Sequence, residues 1–410
     1  MNSQQRFQRT PILSVLKFGR RALFNFFYAG LVILNFLVLK KQPNIIFSQA
    51  KSRYNGNSRY LFEYLVKHNA QTYWLYTNDL QKERIPAELH SQLIPRHSLS
   101  GFLMALKSQF FVICHGSSDL GHLWHLAKHN TVLNLWHAIG VKKTGLLDNQ
   151  FNEYDMSRAL FKAITQETQY YSYMTVSSAV DRYVTSASHA IDVRKVLPLG
   201  NPKTDHYLNS KALHQPNEVF TVLYAPTFRD YPLDHNLFFP FTDFSSAGLT
   251  TFFNNHSIKL YLRPHPNDSE SNAYAKNLEK QFPDNIIYYS QEVCDDIDAA
   301  MHKFDAVISD YSSIYIEPLL ADTPCIFIPF DMDDYLSTRG LAYDYEQVTP
   351  GPKVNSFAEF TYALVDATKG APSWQGQRAM TRQLFFDHID SHACARIAHR
   401  VFNLSLPGTP

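Results

Sequence analysis

Acidic residues are missing from the first 62 positions of this 410-residue chain; Glu63 is the first. Ten basic residues precede it, from Arg6 to Arg59, so that stretch carries +10 and the remainder −9, while the whole chain nets only +1. The near-zero total excludes a basic nucleic-acid footprint spread over the molecule. Charged residues are scarce at 18%, against 45% hydrophobic, which excludes global disorder and leaves enough apolar side chains for large cores. Cysteines are few: Cys114, Cys294, Cys325 and Cys394, with no CxxC pair and no zinc-template spacing. They read as buried thiols of a reducing compartment, and no disulfide framework is indicated. Internal repeats and low-complexity tracts are absent too. By the rough prior of about 150 residues per domain, the length suggests two to three domains.

What the N-terminus does contain is an uncharged run, residues 22–39, flanked by Arg20, Arg21, Lys40 and Lys41. At ~1.5 Å per residue it would span about 27 Å, marginal for a bilayer core. A cleaved signal peptide fits poorly, because no small-residue cleavage site follows and a strand-like segment starts within a few residues. Residues 1–41 are therefore read as a membrane-associating segment, either an anchor or an interfacial helix, with a buried core helix as the bland alternative. Basic residues at both ends do not set an orientation.

Beyond it, β-rich runs recur: 44–48, 72–77, 110–114, 132–136, 219–224, 258–263, 286–289, 306–309 and 325–329. Most are separated by stretches long enough for helices, such as SRYLFEYLVKH (58–68) behind a Ser cap. Such alternation predicts α/β layers and parallel sheets. The first strand set is expected to end near Trp136, with GNPKTD (200–205) as a connection before a second set. The predicted fold class is α/β with two open domains facing a cleft, and the last residues, 405–410, form a frayed tail.

Four segments follow predicted strands, at the sheet edge where open α/β folds bind ligands. WHAIGVKKTG (136–145) offers His137 as a base near neutral pH, with Lys142 and Lys143 for phosphate oxygens. YAPTFRD (224–230) supplies Arg229, and RPHP (263–266) holds Arg263 and His265 in a proline-stiffened turn. SDYSS (309–313) ends a strand and opens a helix, whose free N–H groups with Ser312 and Ser313 suit an anion. Each segment alone has an ordinary structural reading. Together they suit a phosphate-bearing substrate held between two domains. The Asp-rich stretches CDDID (294–298) and DMDD (331–334) read as solvated surface carboxylates rather than metal sites.

WHAIGVKKTG, GNPKTD, YAPTFRD, RPHP, SDYSSIYIEP and RGLAYDYEQVTPGP (339–352), with NSRYLFEYL (57–65) ahead of them, resemble in order and spacing the CDP-glycerol glycerophosphotransferase family. Its enzymes build teichoic acids and related capsule or cell-surface polymers. The resemblance covers roughly residues 44–400. It implies a GT-B-like fold: a Rossmann-like acceptor domain at 42–205, and a nucleotide-donor domain at 206–403 with a closing C-terminal helix. His137 aligns with the base and His265 with the histidine that stabilises the transferring phosphate. Arg229, Arg263, Asp310, Ser312, Ser313 and Glu317 fall in the nucleotide-donor site, Glu317 toward the ribose. Lys142 and Lys143 fall to acceptor or phosphate. The family usually has glycine where this chain has Ala138; if that position needs positive φ, alanine costs on the order of 1 kcal/mol.

The implied reaction moves a polyol phosphate, glycerol phosphate first, from a CDP-activated donor to a hydroxyl of a lipid-linked or polymer acceptor, releasing CMP. No cofactor and no obligatory metal are implied. The expected partners are the CDP-polyol, the acceptor and an anionic membrane surface, with no nucleic acid. The expected place is the cytoplasmic face of the bacterial inner membrane, where nucleotide donors are available. Two other readings stand beside this one. A GT-B glycosyltransferase would use a sugar nucleotide, and a catalytically dead scaffold would release no nucleotide.

Overall fold

The computed structural model describes residues 41–407 apart from 150–153, 217, 230, 232, 234 and 235, together with Gly30 and Ile33. Two parallel sheets form the body. The first runs in the order β3-β2-β1-β4-β5-β6-β7. Its strands are β1 (Gln42–Phe47), β2 (Thr72–Tyr76), β3 (Leu93–Pro95), β4 (Ser108–Ile113), β5 (Thr131–Asn134), β6 (Tyr173–Val176) and β7 (Val196–Pro198). The second runs β10-β9-β8-β11-β12, with β8 (Phe220–Tyr224), β9 (Ile258–Leu262), β10 (Ile286–Tyr288), β11 (Ala306–Ser309) and β12 (Cys325–Phe327). Central strands such as β11 are buried along their whole length, as expected where helices cover both faces of a parallel sheet.

The nine predicted strands are all present, with bounds within two residues. The first sheet does not stop near Trp136, however; β6 and β7 follow it. With β3, three strands escaped prediction. β3 and β7 are three-residue edge strands ending in proline, which an edge tolerates and a pattern search discounts.

The helix Gly56–Lys67 buries Leu61, Phe62 and Leu65. Phe62 meets Phe47 and Trp74 edge-on, with ring centroids 5.6 and 5.4 Å away. Each such side chain contributes roughly 1.5–3 kcal/mol by leaving water. Ser58 is not its cap: Asn55 holds that position, and the Ser58 hydroxyl lies buried in the first turn without a hydrogen-bond partner.

GNPKTD is not a simple connection either. Gly200 has φ +86°, and a Cβ there would sit 3.0 Å from that of Ala393. The helix Pro202–Leu213 starts directly after, so a domain limit at 205/206 falls inside it. Asp205 accepts the Ala393 and Cys394 N–H groups at 2.9 and 2.8 Å, holding the start of the helix Ala393–Phe402. That helix returns to the first domain. Cys394, Ile397, Ala398, Val401 and Phe402 pack in one core with Ile45, Phe47 and Phe110. Leu404 and Leu406 also pack against this core, so the tail is anchored as far as they reach.

Among the described residues no helix is long and apolar enough to cross a membrane. The proposed membrane segment lies outside the described residues, save Gly30, Ile33 and Lys41.

Candidate active site

His137 stands just beyond β5, on a turn whose strain sits one residue earlier than expected. Trp136 has φ +50°, whereas Ala138 is not among the residues with positive φ. The anticipated alanine penalty is therefore absent, and the cost falls on Trp136. Three groups hold that turn. Asn57 Nδ2 donates to the Trp136 carbonyl at 2.9 Å, Cys114 Sγ donates to the same oxygen at 3.1 Å, and the Trp136 N–H donates to Asn134 Oδ1 at 2.8 Å. Asn57 Oδ1 also accepts the Lys203 N–H at 3.1 Å, linking the turn to the interdomain helix.

The His137 side chain is exposed, although other rings flank it. It stacks on His115 at 4.7 Å and lies 4.3 Å from the Trp136 ring. Crowding by protein, and next the neighbouring His115, hold its pKa well below the ordinary value, against a hydrogen bond with the Cys114 backbone. It is thus neutral at physiological pH and able to accept a proton. His115 escaped sequence reasoning. Its Nδ1 lies 3.7 Å from Asp119, a buried carboxylate that also accepts the N–H groups of Ala50, Cys114 and His115. The spacing His115-x-x-x-Asp119 was the available signal.

After His137 the chain crosses to the second domain. Lys142 forms an antiparallel bridge with Leu341, Lys143 N–H donates to Gly340 at 3.2 Å, and Ala342 N–H donates to Val141 at 2.9 Å. The first and last motifs are thus hydrogen-bonded to each other. Together they wall a cavity of about 480 Å³ whose lining includes Lys142, Lys143, His265, Ser312, Tyr335 and Arg339. Lys143 is steadied by Asn149 at 3.0 Å, and Arg339 lies 3.4 Å from Asp148. Lys142 has no ion-pair partner among the described residues, and burial lowers its pKa to about 8 against the pull of Asp310. His265 stacks on Phe228 at 5.1 Å, and its Nδ1 accepts the Asn267 N–H at 3.2 Å. Burial, then Lys142, lower its pKa.

The other predicted donor residues do not face this cavity. Arg229 is buried, and its guanidinium is taken by Asp331 at 2.6 and 2.9 Å and by Asp310 at 2.9 Å. Asp310 also accepts the Thr227 N–H at 2.9 Å. Arg263 donates to the carbonyls of Tyr289, Ser290 and Cys294 at 3.2, 3.4 and 3.0 Å, bracing that loop. Glu317 is buried against Lys203 at 2.6 Å. The expected helix at SDYSS is a three-residue 3₁₀ turn, Ser313–Tyr315. Its macrodipole is correspondingly short, and the Ser312 hydroxyl already accepts the Ile314 N–H at 3.4 Å. Ser312 lines the cavity; Ser313 does not.

The Asp-rich stretches are solvated surface only in part: Asp295, Asp333 and Asp334 are exposed, but Asp296 and Asp331 are not. Asp331 is buried on Arg229, Tyr231 and Tyr311. Asp296 is buried across the domain seam against Arg59 and Tyr60, both at 3.1 Å. Their signal was the pairing of an acid with a distant cation, which a single sequence does not reveal. Among the described residues no three His, Cys, Asp or Glu side chains form a metal-ligand set.

The whole chain shares its fold with the wall teichoic acid polymerase TagF, with a TM-score of 0.70, 17% identity, and 97% of this chain and 98% of that one covered. It is 24% identical to the teichoic acid glycerol-phosphate transferase of Staphylococcus aureus, over 90% of this chain and 96% of that protein. It is 23% identical to the teichoic acid poly(ribitol-phosphate) polymerase of Bacillus spizizenii, over 94% of this chain but only 60% of the polymerase's length. The description "CDP-Glycerol:Poly(glycerophosphate) glycerophosphotransferase" matches residues 31–403, spanning both sheets and every motif that lines or braces the cleft. On that extent of match the chain belongs to the CDP-glycerol glycerophosphotransferase family.

Proposed function

We propose that this chain transfers a polyol phosphate, glycerol phosphate first, from a CDP-activated donor to a hydroxyl of a lipid-linked or polymer acceptor in teichoic-acid or capsule-like synthesis. The observation that carries this reading is a neutral His137 on the same short segment as Lys142 and Lys143, which with His265 and Arg339 wall an interdomain cavity. Cations around a cavity favour a diphosphate, and a neutral imidazole accepts a proton.

In the reaction the acceptor hydroxyl gives its proton to His137 as its oxygen attacks the polyol-phosphate phosphorus. The O–P bond to CMP breaks, and CMP leaves with the electron pair. Lys142, Lys143, Arg339 and His265 neutralise charge spreading over the phosphate oxygens. No residue forms a covalent intermediate, and no cofactor or metal enters this scheme. Arg229, Asp310, Arg263 and Glu317 support the walls through the bonds described above.

The catalytic body works at the cytoplasmic face of the inner membrane in this proposal, held there by the basic, apolar N-terminal segment. Flanking Lys and Arg add about 1 kcal/mol each on anionic lipid. Incubation with CDP-glycerol and with CDP-ribitol on a membrane acceptor, followed by mass spectrometry, tests the activity. Phosphodiester-linked polyol with released CMP is expected; no transfer from either CDP-polyol, with a glycosidic product and released nucleoside diphosphate when a sugar nucleotide is supplied instead, would overturn it. Flotation with anionic liposomes tests the membrane reading, and a full-length protein that ignores them would sink it.

A further inference from the structure

The strands β1 and β4 are neighbours in the first sheet, and Asp119 ties together the loops that leave their C-terminal ends. Its carboxylate is fully buried: Oδ1 accepts the Ala50 N–H at 3.0 Å, and Oδ2 accepts the Cys114 and His115 N–H groups, both at 2.9 Å. The β1 loop carries Arg53 and the β4 loop carries His115. Arg53 Nη1 lies 3.4 Å from His115 Nε2. A guanidinium only donates, so this Nε2 accepts, and the ring proton sits on Nδ1, 3.7 Å from the Asp119 carboxylate.

The backbone ahead of Arg53 is strained. Lys51 and Ser52 both lie in the left-handed region, with φ +56° and +55°, a conformation that side chains larger than glycine resist. Asn78 Nδ2 holds it by donating to Ser52 Oγ at 2.6 Å, and Gln81 Nε2 by donating to the Gln49 and Arg53 carbonyls at 3.3 and 2.5 Å. Such residues persist where surrounding bonds over-determine them, and they cluster at functional sites. Arg53 itself is half-buried. Unlike Arg59, Arg229 and Arg263, its guanidinium has no carboxylate or carbonyl partner among the described residues. His115 stacks on His137 at 4.7 Å with the rings 17° apart, so Arg53 touches the immediate neighbour of the base. Crowding by protein is the first cause of the lowered pKa of both His137 and His265, and the Arg53 charge adds to it in both. That charge therefore lies near two imidazoles, one from each domain.

We infer that Arg53 is a further catalytic residue, which on the transfer reading donates N–H groups to the phosphoryl oxygens as that group passes from CMP to the acceptor. The transfer reading sets His137 beside the attacking hydroxyl and His265 beside the phosphate, and reacting atoms must meet at about 3–3.5 Å, so a cation near both rings is near the phosphorus. The acceptor oxygen bonds to phosphorus, the bond to CMP breaks with its electron pair leaving on CMP, and the hydroxyl proton goes to His137. Arg53 keeps its own protons and supplies charge and hydrogen bonds alone. Its long bond to His115 is exchanged for phosphate oxygens as charge builds on them, so its contribution falls in kcat rather than in donor KM.

Rates of CMP release from CDP-glycerol on a membrane acceptor, with free guanidinium as a second probe, test this on the full chain. Arg53→Ala should lower kcat about 10²–10³-fold, the usual effect of losing one such donor, with donor KM and melting temperature unchanged. Millimolar guanidinium chloride should restore part of the lost rate, and the same concentration of sodium chloride should not. Arg53→Lys, which keeps the charge but not the planar fork, should fall between wild type and Arg53→Ala. Normal kcat in Arg53→Ala, a rise in donor KM alone, or a loss that guanidinium does not restore in a variant that melts early would each overturn the inference. If wild type releases no CMP from either CDP-polyol, the transfer reading fails, and calorimetric titration with inorganic pyrophosphate decides the site by itself. Binding weakened about tenfold or more in Arg53→Ala, as for one lost charge-assisted bond, keeps Arg53 as a phosphate contact; equal binding removes it.

Discussion

Lys203 and Lys142 stand at the same seam between the domains, and both are crowded by protein, yet their surroundings treat them oppositely. Burial pushes the Lys203 pKa down, but Asp298 and Glu317 outweigh it, and the net shift is upward. Glu317 lies 2.6 Å and Asp298 3.5 Å from its ammonium. Lys142 receives no such partner among the described residues. The acid that pulls on it, Asp310, is already bonded to Arg229 and to the Thr227 N–H. Carboxylates at this seam have been assigned to the cations that fasten the domains. The cation left without one marks where a ligand must bring the negative charge.

The comparison divides the seam into fastening groups and open groups, and substitutions should separate them. The largest effect is expected at His137, an open group. His137→Ala should lower turnover by about 10²–10⁴-fold with the melting temperature unchanged; steady-state rates beside calorimetry check both halves. A stable variant with normal turnover would remove His137 from the chemistry.

Lys203 should behave the other way round. Lys203→Met leaves Glu317 buried without its closest cation, and breaking a buried pair costs about 3–5 kcal/mol. Chemical denaturation should show that loss. If stability holds and only donor affinity drops, Lys203 belongs with the open groups.

Lys142 gives a pH signature. Its ammonium loses its proton as pH rises through about 8, so affinity for CDP-glycerol should fall across that range. Lys142→Gln should flatten the profile. Stability has the opposite slope: between about 8 and the unfolded lysine value of ~10.4 the unfolded chain holds more protons, so the Lys142 contribution rises with pH there. Calorimetric titration of donor against pH, with thermal melts at the same pH values, reads both.

The smallest difference concerns two adjacent serines. Ser312→Ala should weaken donor binding about two- to tenfold, as befits one hydrogen bond of ~0.5–1.5 kcal/mol, while Ser313→Ala changes little. Equal losses would mean that the diphosphate lies nearer the 3₁₀ turn than the cavity lining indicates.

Much of the fold could be read from runs such as FFVI and AVIS, because a strand covered on both faces must be apolar throughout. LIP and VLP were unreadable for the converse reason: short edge strands ending in proline carry almost no pattern. At the site, the positions after strands were legible, since strand ends can be counted. The partners were not. Arg229, Glu317, Asp296 and Asp331 belong to ion pairs closed between residues far apart in sequence, and local chemistry cannot tell an arginine awaiting phosphate from one holding two aspartates. Trp136 shows the same limit in the backbone. A glycine-to-alanine departure drew attention to Ala138, while the positive φ rests on a tryptophan held by Asn57, 79 residues away.

The return of the helix Ala393–Phe402 to the first domain has a consequence for synthesis. The last strand of the first sheet is complete at Pro198, but the side chains that finish its core arrive roughly 200 residues later. At about 5–20 residues per second, that is on the order of 10–40 s during which Ile45, Phe47 and Phe110 lack part of their packing on a ribosome-bound chain. The second domain, whose own core needs nothing from this helix, is free to form first. The earlier-made half of the molecule is therefore the last to mature, and the nascent chain offers chaperones an apolar groove for about half of its translation.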